Sequence, residues 1–153
     1  MATRKFAKNF VYGGQTQPPL RHQEIRTPGT ELFYVHDGII KGAFMMCGTW
    51  QTAIVPGSLT RVYPQHAHDM DEYIVLVGSD IEHPYELCGE VEFWFEDEKY
   101  VITKTCAIFI PKGVRHAPLI VTRVDKPLFL LSTTPDIKHN VHEFAEPQYM
   151  KKH

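Results

Sequence analysis

Apolar residues along the chain come in short bursts, and their spacing is that of strands. Glu90-Val91-Glu92-Phe93-Trp94-Phe95 alternates polar and apolar, which puts Val91, Phe93 and Phe95 on one face. Similar β-rich runs cover Glu31 to His36, Gly42 to Thr49, Ser58 to His68, Glu72 to Val77, Tyr100 to Thr103, Cys106 to Ile110, Ala117 to Val124 and Leu128 to Ser132. Turn signals separate them. Glu96-Asp97-Glu98-Lys99 reads as a hairpin turn and Asp125-Lys126-Pro127 as another. No window of a dozen residues carries a helical stripe. Many short strands with tight turns predict an all-β sandwich or a closed antiparallel barrel. A small barrel has room for one ligand, so function is expected on inward-facing side chains.

The ends read differently. Residues 1–29 are polar and hold Gly13, Gly14, Pro18, Pro19, Pro28 and Gly29, the pattern of an arm that lies against something else. Phe6, Phe10, Val11 and Tyr12 in that arm suggest packing on a partner subunit, and Phe44, Met45, Met46 and Trp50 beyond it suggest a dimer surface or the outer barrel wall. The tail, 136–153, turns polar again, with a short helix expected near Val141 to Phe144. The domain reading is therefore an arm at 1–29, a barrel at 30–135 and a tail at 136–153.

The chain has 153 residues, enough for one domain with a core that needs no staples. Its formal net charge is -2, with no basic excess to neutralise phosphates, so nucleic acid is not an expected partner. The longest apolar runs are far too short to span a bilayer. No apolar stretch follows the basic residues of the N-terminus, which does not read as a secretory signal. Cys47, Cys88 and Cys106 are an odd number without a C-x-x-C pair, which argues for a reducing, cytoplasmic setting. Cys106 adjoins an apolar run and reads as an inert core thiol.

The chemistry concentrates in His66-Ala67-His68-Asp69-Met70-Asp71-Glu72. On a strand His66 and His68 share a face; on a helix they would lie roughly 200° apart. If that strand ran on, the Glu72 Cα would sit ~13 Å beyond that of His68, too far to share an ion. A turn at Asp69-Met70-Asp71 would bring Glu72 back beside the histidines, at the start of a strand that Gly78 ends. A fourth candidate follows Pro111-Lys112-Gly113, where Gly113 permits a sharp turn and His116 opens the next strand.

Three imidazoles and one carboxylate suit Fe(II), Mn, Ni, Zn, Co or Cu better than Mg or Ca. A six-coordinate ion would keep two positions open, as a catalytic site does. Asp69 and Asp71 are candidates for orienting the imidazoles. Arg61, Tyr63 and Arg115 flank the ligand segments, and an arginine there could clamp a substrate carboxylate. Trp94, Tyr100 and Phe109 are candidate pocket aromatics, with core packing as their ordinary role. His139 and His142 form a possible second pair in the tail, where solvent exposure is the ordinary reading.

The spacing H-x-H-x3-E-x5-G at His66, His68, Glu72 and Gly78, followed by P-x-G-x2-H at Pro111, Gly113 and His116, resembles the two signature motifs of the cupin superfamily. The resemblance covers about Gly42 to Pro135. The glycine that usually opens the first motif is Arg61 here, and the second motif's leading glycine and trailing asparagine are Thr105 and Ile120. The resemblance implies a single antiparallel jelly-roll barrel with N- and C-terminal extensions, commonly dimeric, with one metal inside held by His66, His68, Glu72 and His116. The expected cofactor is one divalent transition metal per chain (Fe, Mn, Ni or Zn). The expected function is a metal-dependent enzyme acting on a small oxygen-bearing molecule. Dioxygenase is the first choice. Decarboxylase, isomerase, lyase or a non-catalytic small-molecule binder are the alternatives.

Overall fold

The computed structural model describes residues 6–16, 29–54, 65–135 and the backbone of 141–143. Ten strands follow one short 3-10 turn at Ala7–Asn9. They are β1 (Gly29–Val35), β2 (Met45–Gln51), β3 (His66–His68), β4 (Glu72–Gly78), β5 (Glu86–Phe95), β6 (Glu98–Lys104), β7 (Cys106–Ile110), β8 (His116–Val124), β9 (Leu128–Thr134) and β10 (Val141–Glu143). Most arise where apolar and polar residues alternate, and the expected strands match within about four residues at their ends, except the run expected over Ser58 to His68, whose residues 58–64 lie outside the described residues.

All pairings are antiparallel. One sheet (sheet A) has the order β1-β2-β9-β4-β7, the other (sheet B) β10-β3-β8-β5-β6. Every connection crosses from one sheet to the other except β1–β2 and β5–β6. That weaving makes a jelly roll. Closure differs from the expected barrel: among the described residues no ladder joins the sheets, so they form a sandwich. At the β7–β8 crossing, Gly113 N–H donates to the His68 carbonyl at 2.9 Å without continuing a ladder.

The core lies between the sheets. Ile74, Leu76, Ile110, Leu128 and Leu130 from sheet A meet Leu87, Val91, Phe93, Leu119 and Val121 from sheet B. Burying each such side chain stabilises the fold by ~1.5–3 kcal/mol. Phe93 and Phe95 pack edge to face at 5.1 Å. Gly78 is required by a close approach: a Cβ there would run into the Glu86 carbonyl oxygen. Cys106 packs against this core, and burial pushes its thiol up, in keeping with an inert thiol.

Two expectations for the ends are modified. Val141–Glu143 is a strand rather than part of a helix, and it pairs with β3. The free edge of β3 offers unpaired backbone groups, and pairing with them overrides a three-residue preference. The arm does lie against something: Gly14 N–H donates to the Leu32 carbonyl, and Tyr34 N–H donates to the Thr16 hydroxyl at 2.8 Å. It thereby covers the outer edge of β1. Phe6, Phe10 and Tyr12 are exposed on this chain. Among the described residues no helix is long and apolar enough to cross a membrane.

Candidate metal centre

His66 and His68 stand two apart on β3, so both rings face the inside of the sandwich, 4.8 Å between centroids. The turn at 69–71 then carries the chain from sheet B to sheet A and starts β4 with Glu72. Glu72 Oε2 lies 3.0 Å from His68 Nε2, so the fold-back that the spacing demanded is present. His116 opens β8 directly opposite His66 in register, and their rings are 4.3 Å apart. Its Nε2 is 3.1 Å from the same Glu72 oxygen. One ligand atom from each of the four residues lies within 4.8 Å of all the others, and all four residues are buried.

The loop before His116 is tied to the segment before Glu72. Asp71 Oδ1 accepts from Lys112 N–H at 2.8 Å, and Gly113 N–H donates to the His68 carbonyl. Gly113 has φ +78, a conformation that favours glycine. Ala117, next to His116, is also left-handed at φ 66, a strained position of the kind that gathers at functional sites. Thus Asp71 sets the spacing of two ligand segments instead of contacting an imidazole, and Asp69 is exposed.

The supporting contacts orient the donors. The Val114 carbonyl lies 2.9 Å from His116 Nδ1. A carbonyl only accepts, so Nδ1 carries the hydrogen and Nε2 turns a lone pair toward the centre. Ser132 donates to Glu72 Oε1, leaving Oε2 to face the imidazoles. Burial alone would push the Glu72 carboxyl up, but the imidazoles of His116 and His68 outweigh it and hold the group far below the usual carboxylate range.

These donors fit a borderline transition metal. The Glu72–His contacts are short, yet Glu72 Oε2 and His116 Nε2 are buried and make no hydrogen bond. The ring nitrogen approaches the oxygen without aiming an N–H at it. Buried polar atoms without hydrogen bonds are rare and call for an explanation. Lone pairs converging on a shared point supply one.

Other expected residues fall elsewhere. Arg115 points to the β5–β6 turn, 3.6 Å from Asp97. Trp94 is buried but sits between Phe93 and Phe95 on the opposite side of β5, away from the core. Phe109 pairs with Tyr73 at 5.2 Å on the outer side of sheet A, and Tyr100 is half-exposed on β6. Arg61, Tyr63 and His139 lie outside the described residues, as does the side chain of His142. The spacing did not single out Ser132. Its signal was a polar residue in phase with Leu128 and Leu130, and therefore facing inward.

No family model and no curated protein matches the sequence. Solved structures do. The polyketide cyclase RemF from Streptomyces resistomycificus superposes at TM-score 0.50 with 18% identity, over 97% of this chain and 89% of that one. An oxalate oxidase superposes at 0.52 with 12% identity, over 89% of this chain and 63% of that one. An RmlC-like cupin from Shewanella frigidimarina reaches 0.41 with 17% identity over 72% of this chain and 77% of that one, too low to add to the argument. At these identities the likeness concerns the fold alone.

Proposed function

We propose that the chain is a mononuclear metal-dependent enzyme acting on a small oxygen-bearing molecule. His66, His68, Glu72 and His116 would hold one divalent iron, manganese, nickel or zinc ion. The observation that carries this reading is the convergence of four buried ligand atoms within 4.8 Å. The donor set is nitrogen-rich and lacks cysteine, unlike the closed cysteine-rich sites of structural zinc. Such an ion supplies Lewis acidity and, for iron or manganese, one-electron chemistry toward dioxygen.

The remaining work falls to the chain itself. Val114 and Ser132 fix the orientation of His116 and Glu72, so little reorganisation is needed when charge develops nearby. Phe93, whose ring lies 6.4 Å from that of His116, and Ile110, paired with Glu72, bring the buried apolar core up to the donors, where low polarity strengthens local electrostatics. Within this reading, oxygenation is the first reaction to test, with decarboxylation, isomerisation and lyase chemistry as its competitors. The solved structures named above are of a cyclase and an oxidase, so the fold by itself does not choose.

The test is turnover. Protein reconstituted separately with Fe(II), Mn(II), Ni(II) and Zn(II) is incubated with panels of hydroxy acids and hydroxylated aromatics. Dioxygen uptake and product masses are followed together. Uptake coupled to product with the iron or manganese form supports oxygenation. Product without uptake selects the competitors. Tight binding with no product for any metal would make the chain a binder and overturn the enzyme reading.

A further inference from the structure

An antiparallel sheet with one face in water alternates apolar and polar residues, as Glu90 to Phe93 of β5 does. Three strands of sheet A do not. Tyr73 to Val77 in β4, Cys106 to Ile110 in β7 and Leu128 to Leu131 in β9 are unbroken apolar runs. Half of each run is explained by the core, where Ile74, Leu76, Leu128 and Leu130 are buried. The other half points outward. Strands carry near-continuous apolar runs when both of their faces are covered.

The outward residues of sheet A line up in rows across the strands. Trp50 pairs with Phe129, Leu131 with Val75 and Tyr73 with Phe109. The rings of Trp50 and Phe129 are 5.4 Å apart, and those of Tyr73 and Phe109 are 5.2 Å apart. Tyr73 is 49% exposed and Phe109 47%. Among the described residues, the outward positions of sheet A hold no Asp, Glu, Lys, Arg or His. The outward side of sheet B is different. Glu90 and Glu92 stand there on β5, and Glu92 pairs with Lys99 at 2.9 Å. One side of the sandwich is therefore built for water and the other is not.

The size of the face fits a partner. Five strands about 4.8 Å apart and three outward rows about 6.8 Å apart give a footprint of about 24 by 20 Å, on the order of 500 Å². Two such faces in contact bury about 1,000 Å² by footprint, the size at which specific interfaces begin, and protruding aromatic rings add to it. The chemistry fits a second copy. A face without charges does not repel itself and offers no hold to an acidic or basic partner. A twisted sheet packs closely on another of the same twist, at about −30°.

We propose that the outer face of sheet A is a self-docking surface, through which two copies of this chain pack sheet on sheet as a symmetric dimer. The proposal goes beyond the metal-centre function and does not rest on it. Met46 and Trp50, expected at a dimer surface, point outward into this face, whereas Met45 points inward and is buried.

The test is sedimentation equilibrium on the full chain from about 0.1 to about 100 μM. The wild type is expected at twice the chain mass in the upper part of that range. Tyr73→Lys/Phe109→Lys puts like charges on both sides of the contact. It should raise the dissociation constant at least about hundredfold and leave single chains, with circular dichroism verifying the fold. Val101→Lys, at a half-exposed outward position of β6 in sheet B, should leave the dimer intact. A wild type of single-chain mass at the highest concentration overturns the proposal. So does a double variant that associates like the wild type, or dissociation caused by Val101→Lys. If the double variant does not fold, Phe109→Ser on the edge strand β7 takes its place, with an expected weakening of at least about tenfold.

Discussion

Removing the Ser132 hydroxyl isolates the support of the centre from the centre itself. Ser132→Ala deletes the hydrogen bond to Glu72 Oε1 and no ligand atom. The bond is buried and its acceptor is ionised, so its loss should cost the metal-free fold ~1.5–3 kcal/mol. Part of that cost arises because the Glu72 carboxylate stays charged: the neighbouring imidazoles hold it well below its usual range. The effect on the metal should be comparable. Losing an outer support of a ligand typically lowers metal affinity about 10- to 100-fold, or ~1.4–2.8 kcal/mol. Competition against a chelating dye measures the affinity, and urea melts of the stripped protein measure the stability. Ser132→Thr keeps a hydroxyl and should recover most of the affinity. Wild-type affinity in Ser132→Ala, within about twofold, would refute the claim that this contact aims Glu72.

Other expectations follow from the same geometry. Acid should weaken metal binding and finally release the ion, because only neutral imidazole binds, and elemental analysis after dialysis across pH reads this directly. Phe93 is fully buried in the core, so Phe93→Ala should destabilise by ~3–5 kcal/mol in urea unfolding. Gly78→Ala forces a Cβ against the Glu86 carbonyl, and thermal melting should show a loss of ~1–3 kcal/mol although only a methyl is added. Lys126, then His83, holds the Asp80 carboxyl down to about 2. A lowered carboxyl stabilises the fold above its unfolded value, near 3.8, and the benefit disappears as pH falls through about 2. Asp80→Asn should therefore be less stable than wild type at neutral pH, and the gap should close between about pH 4 and about pH 2 in acid titrations.

The sequence carried the strands because alternation is a local signal, and it carried the ligands because of one geometric conflict. Glu72 could join His66 and His68 only if 69–71 turned, and the chain turns there to change sheets. His116 was legible through the glycine turn before it. Long-range contacts were less visible. That β3 would accept β10 depends on an edge created by the fold, and no preference in Val141–Glu143 announces it. Asp71 looked like a support for an imidazole because it neighbours the ligands, yet its carboxylate caps the loop at Lys112, forty-one residues away. Glu31 faces inward only because β1 shifts register beside Gly48, where the ring of Phe33 covers the missing side chain. Sandwich against closed barrel could not be told apart by alternation, since both bury one face of each strand.

The central claim is that His66, His68, Glu72 and His116 hold one metal ion, and elemental analysis of untagged protein tests it most directly. The comparison is wild type against a His66→Ala/His116→Ala double variant that circular dichroism shows to be folded. The account predicts about one equivalent of a transition metal per chain in the wild type and almost none in the variant. Equal metal in both proteins, or none in the wild type after anaerobic reconstitution with Fe(II), Mn(II), Ni(II) and Zn(II), would contradict it.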